Sequence, residues 1–175
     1  MKTNKIIIVV LSLVLFLISC KKRDMNVLQA ETQNESFGCM LNNKVWVNEG
    51  ASYSGVAGLN IYIYQYNFGI SAVKSNTNTG QEFSFNINQP LKVGKYYFNT
   101  STCNASFSDL LNRSYFQTDS TQNWGTLEIT KYDTIQKKVM GRFSFRAPRS
   151  YFNDTTKIKK DSIITITEGR FNIMY

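Results

Sequence analysis

The feature that most constrains this chain is a two-residue alternation of apolar and polar side chains, repeated in four separate runs. In EFSFNIN (82–88), Phe83, Phe85 and Ile87 fall on one side, and Glu82, Ser84, Asn86 and Asn88 on the other. TLEITKY (126–132), RFSFRA (142–147) and RFNIMY (170–175) repeat the pattern with Leu127 and Ile129, then Phe143, Phe145 and Ala147, then Phe171, Ile173 and Tyr175. A period of two fits an antiparallel strand with one side in a core and the other in water; a helix cannot sort these residues onto one face.

Turn signals separate the runs at Asn42-Asn43, Asn67 before Gly69, Asn76 to Gly80, Gly94, Tyr132-Asp133 and Glu168-Gly169. They predict hairpins FGCML-NN-KVWV and IITIT-EG-RFNIM. One short helix is predicted at Phe107 to Asn112, FSDLLN, behind cap candidates Ser106 to Ser108. The expected fold is all-β: an antiparallel β-sandwich, or an open barrel, of about eight to ten strands.

The amino terminus reads differently. Lys2 and Lys5 precede an apolar run, Ile6 to Ile18, broken only by Ser12. Its 13 residues (6 to 18) would reach about 20 Å as a helix, short of the roughly 30 Å hydrocarbon core of a bilayer. The length suits the helical core of a secretory signal better than a membrane span. The run ends Leu17-Ile18-Ser19-Cys20, which resembles the bacterial lipobox. That resemblance implies lipid transfer to the Cys20 thiol and cleavage before it. Two or three acyl chains then give firm anchoring, at about 0.8 kcal/mol per buried methylene. The expected organisation is a signal peptide over 1–19, a lipidated cysteine and flexible tether over 20–36, and a single all-β domain over 37–175. As a coil, the 16 residues 21–36 span about 20–24 Å.

Charge and composition exclude more than they identify. The chain has 20 basic and 12 acidic residues. Without Lys2 and Lys5, the mature chain keeps 18 basic residues, a balance of +6. Dense basic clusters occur only at Lys21-Lys22-Arg23, against headgroups at the root of the tether, and at Lys157 with Lys159-Lys160, in a solvated turn. Nucleic acid is not the expected partner. Histidine is absent, so no Ser-His-Asp or Cys-His nucleophile and no histidine-ligated metal exists. No cofactor is expected. Asp109, Asp119, Glu128 and Asp133 are the carboxylates a glycosidase-like pair would have to draw on, but they read as solvated charges, and no enzyme activity is expected.

Cys39 and Cys103 form an even pair in an export compartment. Bonded, they would close a loop worth about 4 kcal/mol; unbonded, they are two buried thiols. In LNIYIYQY (59–66), Tyr62, Tyr64 and Tyr66 share one side of a strand, opposite Leu59, Ile61 and Ile63. Such a row serves either as a platform for sugar rings or a partner protein, or as ordinary sheet packing. Trp46 and Trp124 read as packing residues.

GCMLNNKVWV, WGTLEITKYD, KVMGRFSFRA and ITITEGRFNIMY together resemble an uncharacterised family of small Bacteroidota cell-envelope lipoproteins. The family pattern runs roughly Cys-x-x-Asn-Gly-Lys-x-Trp, Gly-x-Leu-x-Ile-Thr-x-x-Asp, Gly-x-Phe-x-Phe and Thr-x-Gly-x-Phe, with Asn43 here in place of the usual glycine. The resemblance implies an envelope location and an all-β domain, and no catalytic residue. It also implies O-glycosylation at Asp-Ser/Thr-aliphatic triplets, which match Thr134 in Asp133-Thr134-Ile135 and Ser162 in Asp161-Ser162-Ile163. In such bacteria acidic residues after the lipidated cysteine favour the cell surface. KKRD offers only Asp24, which favours the periplasmic leaflet of the outer membrane. The expected role is a non-catalytic binding or assembly module of the envelope, the alternative being glycan binding through the tyrosine row.

Overall fold

A computed structural model describes residues 36–48, 58–64, 67–76, 79–98, 102–151 and 154–175. Among these there is no helix. Eleven strands form one antiparallel sheet: β1 (Ser36–Leu41), β2 (Lys44–Val47), β3 (Leu59–Tyr64), β4 (Asn67–Asn76), β5 (Thr79–Ile87), β6 (Gly94–Tyr97), β7 (Cys103–Asp109), β8 (Ser114–Gln117), β9 (Gly125–Asp133), β10 (Lys138–Tyr151) and β11 (Asp154–Met174). The order is β2-β1-β11-β10-β8-β7-β5-β4-β3, with a branch in which β10 also pairs β9, and β9 pairs β6. The fork is made by the length of β10. Its first part, to Phe145, lies beside β9, and Arg149 and Ser150 lie beside β8.

All four alternating runs are strands with their apolar side inward, as the pattern requires. Phe83, Phe85, Ile87, Leu127, Ile129, Phe143, Phe145, Ala147, Phe171 and Ile173 are all buried. The sheet curls into a half-barrel, which is the open-barrel alternative of the sequence reading, with eleven strands where eight to ten were expected. Aromatic contacts across the concave side mark the curl. Phe37 on β1 lies 5.8 Å from Phe83 and 5.7 Å from Phe85 on β5, and Trp46 on β2 meets Phe83 edge-on at 4.7 Å.

The Asn-Asn hairpin forms as expected. Asn42 and Asn43 both take positive φ, 48° and 64°, the requirement of a two-residue turn that matches strand twist. Asn42 is also clamped to β11: its N–H donates to the Thr165 carbonyl (2.8 Å), and its Oδ1 accepts from the Thr165 N–H (2.9 Å).

Four local expectations are corrected. Lys157 to Lys160 lies within β11, with Lys159 paired to Arg149, rather than in a turn. Phe107 to Asn112 is no helix. Phe107 is buried within β7 beside Phe83, and the chain turns immediately after Asp109, whose Oδ1 accepts the Asn112 N–H. Leu110 and Leu111 stay exposed, so no apolar stripe exists to hold a helix. Glu168-Gly169 is no hairpin turn either. Both neighbours of β11 run past it, and it absorbs one extra residue as a bulge opposite both β10 and β1, with Glu168 at φ 54°. Asn67 to Gly69 is the beginning of β4, paired with Tyr62 to Tyr64, rather than a turn.

Candidate functional site

The inside of the half-barrel is filled by interlocking rings. Phe85 contacts Phe37, Phe98, Phe143 and Phe145 at 4.6–5.9 Å. At one end of this core the Trp46 Nε1–H donates to Gln81 Oε1 (2.9 Å), and Gln81 Nε2 donates to Asp109 Oδ2 (3.1 Å). Partial burial raises the affinity of the Asp109 carboxyl for its proton. Hydrogen bonds from the Asn112 side chain and N–H, from Gln81 and from the Leu111 N–H outweigh that and hold it below the usual carboxylate range.

The other carboxylates are also engaged locally. Asp119 Oδ1 accepts the Trp124 indole N–H (2.7 Å) together with the Thr121 N–H and hydroxyl. Asp133 caps its turn by accepting from Gln136 and Ile135, and these bonds with Lys131 keep its carboxyl ionised below the usual range. Glu128 lies on the outer side of β9 between Lys95 and Arg142. Among the described residues no three His, Cys, Asp or Glu side chains cluster as a metal site.

Among the described residues, the outer, convex side of the sheet carries rows of polar side chains. On β3, β4, β5, β7 and β8 this surface carries small polar residues in cross-strand rows. One row is Asn60, Ser71, Ser84, Ser106 and Gln117; the next is Tyr62, Gly69, Asn86 and Asn104. Ser71 donates to Glu82 Oε1 at 2.5 Å, and the Tyr115 hydroxyl donates to Gln117 Oε1 at 3.2 Å. The Tyr62 ring lies over Gly69. A Cβ on Gly69 would fall 1.8 Å from Tyr62 Cζ, so the glycine is what lets the ring rest against the sheet. Tyr62 nevertheless remains 39% exposed. Beside it, Asn86 Oδ1 is buried without a hydrogen-bond partner. Of the predicted tyrosine row only Tyr62 can be placed: Tyr66 and the Tyr64 side chain lie outside the described residues, as do Cys20 and the signal segment.

The cysteine expectation resolves to two free, buried thiols. Cys39 on β1 and Cys103 on β7 are separated in the sheet by β11, β10 and β8, and each points into the core. Burial pushes the Cys39 thiol far up, and the Cys103 thiol up to about 12. A folded pKa raised above the ordinary value near 9 favours the fold fully below that value, and the advantage is lost as pH rises towards the folded pKa. Between pH 8 and pH 10, urea unfolding is expected to show a loss on the order of 1 kcal/mol per thiol. A Cys39→Ala/Cys103→Ala variant should lack that component of the slope; an identical slope in the variant would contradict it.

Thr134 is exposed at the β9–β10 turn, beside an Ile135 that is 93% exposed, whereas Ser162 is half-buried within β11.

A second outer surface was missed by the sequence reading, although a signal for it was present: the tripeptide Gly-Arg-Phe occurs twice, at 141–143 and 169–171. Register places Gly141 opposite Phe171 and Phe143 opposite Gly169. Each ring fills the space of the facing glycine's missing Cβ: a Cβ at Gly169 would sit 2.3 Å from Phe143 Cδ2, and one at Gly141 2.4 Å from Phe171 Cζ. Between the two pairs, on the outer side, Arg142 stands directly opposite Arg170.

The model of one family, a domain of unknown function (DUF6252), matches residues 35–173. No curated protein and no solved structure matches the chain.

Proposed function

The chain belongs to the DUF6252 family, and from that premise we propose that it is a lipid-anchored envelope protein whose β domain binds a partner rather than transforming a substrate. One observation carries the binding half of this reading. The concave side is packed with aromatic rings, so among the described residues the sheet offers its open outer face, which suits an extended ligand or another protein. The anchor half rests on Leu17-Ile18-Ser19-Cys20 and the short apolar run before it, with Lys21-Lys22-Arg23 against headgroups on the periplasmic side of the outer membrane. Cells expressing the full chain should incorporate labelled palmitate into it, and Cys20→Ala should abolish the label. Equal labelling of both proteins would end the anchor reading.

A second reading, glycan binding, is favoured by Tyr62. Its ring covers Gly69, stays 39% exposed and shares a cross-strand row with Asn86 and Asn104, so a sugar ring could stack on it while its hydroxyls reach those amides. Retained capture of envelope glycan by Tyr62→Ala would remove it. Thr134, on an exposed turn, is the better placed of the two triplet positions for glycosylation.

A further inference from the structure

Among the described residues three strands end the sheet, each with one neighbour: β2 beside β1, β6 beside β9, and β3 beside β4. An open edge presents a row of backbone donors and acceptors to any passing strand, and proteins blunt it with short strands, lysines, prolines or bulges. Two of the three edges follow that practice. β2 is four residues long and carries Lys44, and β6 is four residues long and carries Lys95. β3, LNIYIY, does not. It is six residues long, holds no charge, proline or glycine, and pairs with β4 without a register shift.

The register fixes which backbone groups of β3 face outward. The Val73 N–H donates to the Gly58 carbonyl, one residue beyond the Leu59–Ala72 pair. Hydrogen-bonded pairs alternate along an antiparallel ladder, so Gly58, Asn60 and Tyr62 bond to β4. Leu59, Ile61 and Ile63 therefore aim their N–H and C=O groups away from the sheet. Their side chains fall on the core side, where Leu59 is buried but Ile61 and Ile63 are only partly so.

The strand's own pattern points to what pairs there. Leu59-Asn60-Ile61-Tyr62-Ile63 has the same apolar–polar order in both directions, centred on Ile61. A second β3 laid antiparallel about a twofold axis at Ile61 puts Ile61 opposite its own copy and Leu59 opposite Ile63. These are the residues whose backbone groups face outward, so the pairing makes about six inter-strand hydrogen bonds. It also covers the partly exposed isoleucines with apolar side chains. Asn60 falls opposite Tyr62 on the outer side, and no charge opposes another. A shift by one residue would set apolar side chains against polar ones along the whole strand. Such a pairing is isologous and closes at two copies.

We propose that β3 is a homodimer interface, at which two copies of the chain join edge to edge about Ile61 and their half-barrels share one continuous sheet. The proposal is independent of the anchor and glycan readings. The protein to use is the chain from residue 20 with Cys20→Ser, so that no lipid contributes to association. Sedimentation equilibrium over a concentration series should show a monomer–dimer equilibrium. Over the same series, amide exchange followed residue by residue should slow at Leu59, Ile61 and Ile63 as the dimer fills. Asn60 and Tyr62, bonded to β4, should stay protected throughout.

Asn60→Lys/Tyr62→Lys sets lysine opposite lysine twice in the dimer and should weaken it roughly tenfold. Asn60→Lys/Tyr62→Glu sets lysine opposite glutamate and should dimerise at least as well as the unsubstituted strand. A monomer at every concentration would overturn the proposal, and so would two double variants that associate alike. Protection of Leu59, Ile61 and Ile63 that does not change with concentration would overturn it too, since the chain would then cover its own edge. That exchange is read on the unsubstituted strand, so it decides the matter even where a variant fails to fold.

Discussion

Phe85→Ala is expected to cost the fold about 3–5 kcal/mol, out of the 5–15 kcal/mol that holds a typical domain together. Phe85 is fully buried, and its ring touches those of Phe37 on β1, Phe98 after β6, and Phe143 and Phe145 on β10. Those rings come from parts of the sheet that pair with different neighbours, so one deletion opens a hole that no single strand can move to fill. In urea the unfolding midpoint should fall by about 2 M. Phe116, on the four-residue β8 and 8% exposed, meets the Phe107 ring at 6.3 Å and should tolerate the same change at lower cost. A loss below about 1 kcal/mol for Phe85→Ala would mean that the rings do not fasten the curl.

Gly169→Ala should be nearly as damaging, for the opposite reason. An alanine Cβ at 169 would meet the Phe143 ring at 2.3–2.5 Å, so Phe143 must leave its place against Phe37 (4.9 Å) and Phe85 (4.6 Å). Overpacking of this kind typically costs about 1–3 kcal/mol, and the lost ring contacts raise the figure towards its upper end. Because the obstruction is a side chain, a second substitution should relieve it. Phe143→Leu is destabilising by itself but should add little to Gly169→Ala, and the double-mutant cycle should yield a favourable coupling of about 1–2 kcal/mol. Simple additivity would show that the glycine is there for its backbone alone.

The strands themselves were readable because each alternating run buries one side and wets the other, and burial follows the pattern residue by residue in Phe83 to Ile87 and Leu127 to Ile129. The failures share a cause. Phe107 to Asn112, Asn67 to Gly69 and Glu168-Gly169 carry local signals of cap, turn and turn, but in each case pairing with a neighbouring strand overrides them. Asn67 to Gly69 faces Tyr62 to Tyr64, and Glu168-Gly169 lies between β1 and β10, which leave no room to reverse. The curl was equally hidden, since it arises from ring contacts between strands distant in sequence. At the surface, Tyr62 was legible as a candidate because tyrosines alternate, while its support by Gly69 depended on register. The Arg142–Arg170 opposition was spelled out twice as Gly-Arg-Phe, yet its meaning required knowing that the two copies run antiparallel and side by side.

The pairing of β1 with β11 has a consequence for how this domain comes into being. Ser36 lies opposite Asn172 and Leu41 opposite Ile166, so the first strand has its long-range partner only when the final strand is present. A chain emerging from its amino end, through a ribosome or a translocation pore, carries Phe37, Cys39 and the apolar residues of β2 to β5 with no completed core to enter. Closing a loop of that length is entropically slow and leaves edges open to mispairing. The architecture thus delays completion of the sheet until β11 has emerged. That delay makes the chain dependent, for the same interval, on whatever shields its exposed strands.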